Sequence, residues 1–140
     1  MRKASEIILL VGAIVSIVAA VVYATIGGVF AALGALPTEE VVKAIQDGTW
    51  RTDVPGTVEQ QAEAIKLIFT GLGVMFLVFG VLCVPNAVFG FMARTRKTQA
   101  LYVCNIVFGV LSGTEITLVG GIFGLIANGQ EENRKQQALE

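Results

Sequence analysis

Two asparagines, Asn86 and Asn105, stand inside long uncharged stretches of this chain of 140 residues and are its first candidates for polar chemistry. An amide within an apolar helix can bind a polar substrate or an ion, although it more often bonds another helix. A short loop joins the segments that carry these residues, so we expect both amides to face the interior of a helical bundle at similar depth. We expect each to bond the other or a backbone carbonyl, with a substrate or ion site as the alternative interpretation.

Nucleophiles are present, but none has a recognisable base beside it. Ser16 and Cys83 lie in apolar stretches, and a serine or cysteine nucleophile needs an adjacent general base. The chain contains no histidine, which is the commonest base and the commonest metal ligand. Cys83 and Cys104 do not have the spacing of a metal site. We therefore predict a protein that is not an enzyme, with no catalytic residue, no metal and no cofactor.

Small residues recur every four positions along the first apolar stretch, and a further pair with this spacing stands in the last one. Such a stripe lets a neighbouring helix approach closely, either within the chain or in a homo-oligomer. A strict spacing of four drifts around a helix of about 3.6 residues per turn, so the groove must wind or be shared between two neighbours. The predicted helix-packing groove comprises Gly12, Ser16, Ala20, Ala24, Gly28, Ala32, Gly120 and Gly124.

The elements that must position these residues are membrane-spanning helices. Hydrophobic residues make up 54% of the chain and charged residues 15%, against about 25% charged residues in soluble domains. Residues 7–38 and 67–93 carry no charge, and each stretch exceeds the roughly 20 apolar residues that cross a bilayer. The net charge of -1 gives no basis for nucleic-acid binding. The sequence predicts an integral membrane protein in contact with the lipid bilayer.

The expected fold is an all-α, four-helix membrane bundle that forms a single transmembrane domain over residues 1–140. It has two long helices, a short helical hairpin, and a small outer helix between helices one and two. The predicted parts are spans at about 5–36, 58–92, 98–112 and 115–128, an outer segment at 37–57, and a cytoplasmic tail at 129–140. Thr57 with Gln60 fits a capping box at the start of helix two.

The short hairpin is expected to turn at residues 112–114, where Ser112 and Glu115 fit a second capping box. One continuous helix over residues 100–127 would instead place Glu115 in mid-membrane, at a cost of roughly 3 kcal/mol or more. The hairpin is therefore preferred. Each arm has about 15 residues and is shorter than a usual span, so whether the hairpin crosses the bilayer or re-enters the same side stays open.

Positive charge orients the predicted spans. With both termini inside, seven basic residues face the cytoplasm and three, Lys43, Arg51 and Lys66, face outward. This asymmetry fits the positive-inside rule and predicts a multi-pass protein of the cell membrane. The cytoplasmic set comprises Arg2, Lys3, Arg94, Arg96, Lys97, Arg134 and Lys135.

The outer segment is expected to hold one short helix, capped by Thr38 and stopped by Gly48. Its apolar face could pack on the long helices, which is the default, or dock a partner. The tryptophan that follows could anchor at the membrane interface or act as a binding hot spot. The candidate outer partner surface comprises Val41, Ile45, Trp50 and Arg51.

Three features together resemble a known family. They are the start RKASE leading into an apolar span, the outer EEVVKAI helix that ends in DG, and the closing GGIFGLIAN before a charged tail. They are similar to the small four-helix bacterial membrane proteins grouped as domain-of-unknown-function family 4064. The resemblance covers nearly the whole chain and implies four helices in a bacterial cytoplasmic membrane. The family has no established activity, so no functional residue follows from it.

We predict a non-enzymatic accessory or interaction subunit of the membrane. It would act through its helix grooves and its acidic outer segment, on a membrane-protein partner or on further copies of itself. The alternative is an oligomeric small transporter, channel or holin-like pore. A proton or cation exporter needs a membrane-embedded carboxylate, and no predicted span carries one near its centre. A neutral pore stays open.

Overall fold

The computed structural model describes residues 2–138. Over that range the chain is all-helical, with five α-helices and no strand. The helices are α1 (Arg2–Gly34), α2 (Thr38–Gln46), α3 (Val58–Arg96), α4 (Gln99–Leu111) and α5 (Glu115–Gln137). The described chain divides into two compact units: unit 1 lies within Met1–Val22 and Phe79–Glu140, and unit 2 is Tyr23–Val78. Helices α1 and α3 each contribute a part to both units.

The two long helices are α1, with 33 residues, and α3, with 39. Both are long and apolar enough to cross a membrane. Helix α3 stays helical through Pro85, although an internal proline removes a backbone hydrogen bond and costs about 3 kcal/mol. It also continues four residues beyond the predicted end, to Arg96.

A capping box starts α3, as predicted. The backbone N–H of Thr57 donates to Gln60 Oε1 at 3.1 Å, and the backbone N–H of Gln60 donates to Thr57 Oγ1 at 3.4 Å. These two bonds satisfy backbone donors that the first turn of a helix leaves without a partner. The polar start of α3 is therefore encoded locally.

Unit 2 is held together by an aromatic ladder. The ring of Phe30 on α1 stacks on Phe69 and Phe76 of α3, with 5.8 Å between ring centroids in each pair. Trp50, which follows α2, meets Phe69 edge-on at 5.6 Å. Offset and edge-to-face aromatic pairs contribute about 0.5–1.5 kcal/mol each beyond their burial. The ladder fixes the segment after α2 against α3.

Helix α2 lies where the sequence predicts it, but its cap differs. The N-cap residue is Pro37 rather than Thr38, which is the first helical residue. The Thr38 hydroxyl instead accepts a hydrogen bond from Lys66 Nζ at 3.1 Å, which ties α2 to α3. Gly48 ends the helix with a φ of 73°, a left-handed conformation that glycine adopts without strain.

A helical hairpin of α4 and α5 completes unit 1, and the single continuous helix is wrong. Gly113 has a φ of 68°, and the N–H of Thr114 donates to the carbonyl of Gly109 at 2.9 Å. This is the Schellman pattern that commonly ends helices. The capping box proposed for Ser112 and Glu115 is wrong, because Thr114 is the N-cap residue of α5.

Helix α5 runs to Gln137, beyond the predicted span end at 128, so residues 129–137 of the predicted tail are helical. The residues after Gly129 are mainly Gln, Glu, Lys and Arg, which are good helix formers and compensate for the glycine. Two contacts between α5 and the start of the hairpin also hold this part. Asn128 Nδ2 donates to the carbonyl of Lys97 at 3.2 Å, and Gln99 Nε2 donates to the Glu132 carboxylate at 3.3 Å.

Candidate functional site

Asn86 lies at the centre of a buried polar group in unit 1. Its Nδ2 donates to Ser16 Oγ of α1 at 3.1 Å, to Ser112 Oγ at 3.2 Å and to Thr117 Oγ1 of α5 at 3.0 Å. It also bonds Thr114 Oγ1 in the turn between α4 and α5. We call these five residues the hydroxyl cluster. It joins α1, α3 and the tip of the hairpin.

The hydroxyl hydrogens explain why the amide nitrogen, rather than its oxygen, faces the cluster. Ser16 Oγ donates to the carbonyl four residues earlier at 2.9 Å, and Ser112 Oγ does the same at 2.6 Å. Thr117 Oγ1 donates to the carbonyl of Thr114 at 2.7 Å. Because these hydrogens are already used on helix carbonyls, the oxygens present lone pairs to the N–H groups of Asn86.

Asn105 has a different environment from Asn86. Its Nδ2 donates to the carbonyl of Leu101, one turn earlier on the same helix, at 2.9 Å. The predicted bond to a backbone carbonyl is therefore confirmed for Asn105, while Asn86 bonds side chains instead. Both side chains are fully buried, and neither amide oxygen has a hydrogen-bond partner within residues 2–138.

The two asparagines do not lie at similar depth. Asn86 bonds Ser112 and Thr114 at the hairpin tip, whereas Asn105 stands seven residues before Ser112 on α4, which is about 10 Å along the helix axis. The prediction took the connection to run from Arg94 to Lys97, eight residues from each asparagine, whereas α4 begins only at Gln99. Because α3 continues to Arg96, Asn86 lies farther from the connection than Asn105 does.

The cluster can hold helices together, and it offers neutral donors and acceptors. The nearest carboxylate in sequence belongs to Glu115, which directly follows Thr114 and is exposed. The two cysteines are free thiols, with Cys83 buried and Cys104 half-buried. Ser16, the serine considered as a nucleophile, has its hydrogen on a helix carbonyl and its oxygen on Asn86.

Three glycines of the predicted groove lie at close helix contacts in unit 1. A Cβ on Gly12 would lie 2.6 Å from a side chain near the start of α5, and one on Gly120 would lie 3.0 Å from the Leu9 side chain. A Cβ on Gly124 would collide with the ring of Tyr102. Helix α5 therefore packs against α1 and α4 where it lacks side chains.

The second half of the α1 stripe points away from the packed face. Ala24, Gly28 and Ala32 are exposed, and a Cβ on Gly28 would have no atom within 4 Å. In unit 2 the contact is made by Gly27, whose Cβ would lie 3.0 Å from the carbonyl oxygen of Gly73. Each step of four residues rotates about 40° around a helix, so five steps turn about 200°. The stripe therefore winds around α1 as predicted, and its second half is not packed within the described chain. Whether this half packs in a homo-oligomer stays a prediction.

Ala20 lies in an apolar groove of unit 1 with a volume of about 370 Å³. The groove runs between α1 and α3, and no charged residue lines it within the described chain. Two of its lining residues, Ala20 and Ala87, have only a methyl side chain. Its wall includes Ile17, Ala20 and Val21 of α1 and Val84, Ala87 and Phe91 of α3.

The candidate outer surface is partly used inside unit 2. Val41 is only 1% exposed, so it is a packing residue and is wrong as a partner contact. Ile45 and Trp50 are half-buried, and Trp50 packs on Phe69. Arg51 is exposed. Packing within the chain, the default expectation, is confirmed for Val41.

The hydroxyl residues of the hairpin were not predicted as site residues. Ser112, Thr114 and Thr117 follow one another at a turn, and that concentration of hydroxyls is the sequence signal that could have found them. Ser5 was also missed; its Oγ donates to the carbonyl of Gly120 at 3.2 Å and is buried. Asn86, the partner of the three hairpin hydroxyls but not of Ser5, is distant in sequence, and only the fold brings it close.

Comparison of the chain with protein-family models, with curated proteins and with solved structures gives no match.

Proposed function

We propose that this chain is a multi-pass membrane protein in which α1 and α3 cross the bilayer and both termini face the cytoplasm. Only 22% of the most apolar segment of α1 and 17% of that of α3 is buried inside the structure. A core helix of a soluble protein would have most of that surface covered. Val21 is 62% exposed and Val81 is 70% exposed, and lipid is the solvent that suits such side chains.

The α4–α5 hairpin fits a re-entrant arrangement. Helix α4 has 13 residues, or about 20 Å, and its far end meets α3 at Asn86, about 15 Å along the axis from Arg96. The hydrocarbon core is about 30 Å thick. With Arg96 at the inner surface, the hairpin tip reaches the middle of the membrane and its two ends return to the same side. Glu115 beside the tip then stands near mid-membrane, the costly position that the predicted hairpin was expected to avoid.

The function that we propose is that of a non-enzymatic accessory or interaction subunit. One observation carries it: the small-residue face of Ala24, Gly28 and Ala32 is exposed and unpacked within the chain. Small residues at four-residue spacing favour close helix association in lipid. The occupant that we propose is a membrane-spanning helix of a partner protein or of a second copy. The resemblance to family 4064 is compatible with this and stays a prediction.

The outer segment supports the same proposal. The bond of Lys66 to Thr38 and the contact of Trp50 with Phe69 hold it in place. A segment that is already ordered loses little conformational entropy when a partner binds. Its exposed charged residues, including Glu39, Glu40, Asp47 and Arg51, would then orient the partner outside the membrane.

A leucine at Gly28 tests this function, with Gly71→Leu as the matched control. Both glycines lie in unit 2, and neither would bring a Cβ within 4 Å of another atom, so neither change should disturb the chain itself. Overpacking a helix contact costs about 1–3 kcal/mol, so Gly28→Leu should weaken association roughly fivefold to 150-fold.

The readout is the mass of the affinity-purified protein in native nanodiscs. We expect the wild type and Gly71→Leu to carry the same partner or copy number, and Gly28→Leu to lose it. A wild-type protein that is a lone monomer in native membranes would refute the proposal. Equal loss in both variants would show that the exposed α1 face is not the contact.

A transporter or pore is the second candidate, and Glu115 is the observation that favours it. Glu115 is exposed beside the hairpin tip, so a re-entrant hairpin would place this carboxylate near the middle of the membrane. Ionisable residues there are costly and usually functional. Glu115→Gln should then abolish proton or cation flux in proteoliposomes, and wild-type vesicles without any flux would exclude this candidate.

A further inference from the structure

A basic pocket of about 240 Å³ lies in unit 1 near the start of α1. Lys3, Glu6, Ile7 and Leu10 of α1 line it together with Arg94 of α3. Two cationic and two aliphatic side chains thus line one pocket. Ile7 is 62% exposed, so the aliphatic part opens outward rather than into a core.

The charges of the pocket do not cancel. Glu6 is engaged by Lys97, whose Nζ lies 2.7 Å from Glu6 Oε1. Neither Lys3 nor Arg94 forms an ion pair with another residue of the described chain. The pocket therefore keeps an excess of positive charge directed at a space large enough for a phosphate group.

The apolar groove lies on the same side of the two helices as the pocket. On α1, positions 3, 7, 10, 14, 17 and 21 follow one another at steps of three or four and share a helix face. On α3, Arg94, Phe91 and Val84 share a face in the same way. Arg94 and Val84 are ten residues apart, which corresponds to about 15 Å. The pocket and the apolar groove thus lie one after the other along the same face of both helices.

We propose that the pocket and the groove together bind one anionic phospholipid. Its phosphate lies between Lys3 and Arg94, and one acyl chain follows Ile7 and Leu10 into the groove beside Ala20. The unbalanced positive charge selects an anionic headgroup over a zwitterionic one. The apolar continuation selects a lipid over a soluble phosphate. This inference rests on the membrane insertion proposed above.

The test counts lipids on the full-length protein. Native mass spectrometry of protein released from nanodiscs with equal amounts of phosphatidylglycerol and phosphatidylcholine gives the ratio of the two lipids retained. Each basic residue near an anionic headgroup changes affinity about fivefold. The double variant Lys3→Gln with Arg94→Gln should therefore lower the ratio roughly 25-fold.

Two comparison variants isolate the site. Arg96→Gln with Lys135→Gln removes the same charge from exposed positions outside the pocket and should leave the ratio unchanged. Lys3→Arg with Arg94→Lys keeps the charge and should keep the preference. An unchanged ratio in the first double variant, or an equal fall in the Arg96 and Lys135 control, would overturn the proposal.

Two further experiments test for a soluble phosphate as the ligand and for insertion of the chain into the membrane. Glycerol 3-phosphate should not displace phosphatidylglycerol from the wild type; full displacement would show a site for a soluble phosphate and would also overturn the proposal. Extraction of membranes with alkaline carbonate tests insertion separately. A wild-type chain that washes out refutes the membrane topology, whereas an inserted chain without lipid preference refutes only the phospholipid site.

Discussion

Replacing Asn86 by leucine should destabilise unit 1, and so raise the frequency of its opening, far more than replacing Asn105 by leucine. The Asn86 amide reaches hydroxyls on α1 and on both sides of the hairpin turn. The Asn105 amide bonds only a carbonyl of its own helix among the described residues. Both side chains are fully buried, so the two substitutions place the same apolar group at positions of equal burial and differ in the hydrogen bonds that they remove.

The expected loss of stability in Asn86→Leu follows from the number of hydrogens on the amide nitrogen. Nδ2 of Asn86 carries two hydrogens, so it satisfies two of its four oxygen neighbours at a time. Side-chain hydrogen bonds inside membrane proteins contribute about 0.6 kcal/mol on average and up to about 1.7. Asn86→Leu should therefore cost about 1–3 kcal/mol. Both variants also remove a buried amide oxygen that has no partner among the described residues, so they differ in the donor bonds lost. Asn105→Leu loses one bond within its own helix, and its effect should stay within about 0.5 kcal/mol.

Cys83 provides the assay, because it is buried in the same unit and is a free thiol. In a Cys104→Ser background, the rate at which a maleimide labels Cys83 in mild detergent reports how often unit 1 opens. Asn86→Leu should raise that rate roughly fivefold to 150-fold. Asn105→Leu should change it by less than about threefold. Equal labelling rates for the two variants would refute the assignment of Asn86 as the link between helices.

Two further predictions concern packing. Gly12→Ala should destabilise unit 1 by about 1–3 kcal/mol, because its Cβ would lie 2.6 Å from the Thr117 side chain. Gly28→Ala should stabilise α1 by up to about 1 kcal/mol, because its Cβ meets no atom within 4 Å. Thermal unfolding followed by circular dichroism compares the two alanine variants. A loss of stability in both would contradict the assignment of Gly12 to a packed face and of Gly28 to an exposed one. Trp50→Ala should lower the unfolding midpoint and expose the outer segment to protease, because the edge contact with Phe69 at 5.6 Å is lost. Trp50→Phe is the matched control, and an unchanged protease pattern in Trp50→Ala would show that the contact does not order the segment.

Much of the fold could be predicted because the signals are local. Uncharged stretches locate α1 and α3, the Thr57 and Gln60 pair starts α3, and glycine at 113 turns the hairpin. The end of α5 could not be found in this way. The apolar signal stops near Asn128, but helix propensity and contacts such as that of Gln99 with Glu132 continue the helix.

The candidate site was only partly predictable, because it depends on register between distant segments. The identity of Asn86 as a buried polar residue follows from the sequence, but its partners do not. Ser112 and Thr117 are 26 and 31 residues away along the chain. The rotation of the α1 stripe could be predicted from its spacing of four, but which neighbour covers each half could not: Gly12 meets Thr117, and Gly28 meets no atom within 4 Å.

The hydroxyl cluster also has a consequence for the timing of biogenesis. Ser112 leaves the ribosome 26 residues after Asn86, and chains grow at about 5–20 residues per second. For about 1–5 s, Ser16 is the one partner of Asn86 in the cluster that has been synthesised. The hydroxyls of Ser112 and Thr117 donate to nearby carbonyls of the hairpin, so their hydrogens have acceptors before these residues reach Asn86. The rate of translation therefore sets how long Asn86 Nδ2 on α3 lacks most of its hydrogen-bond acceptors.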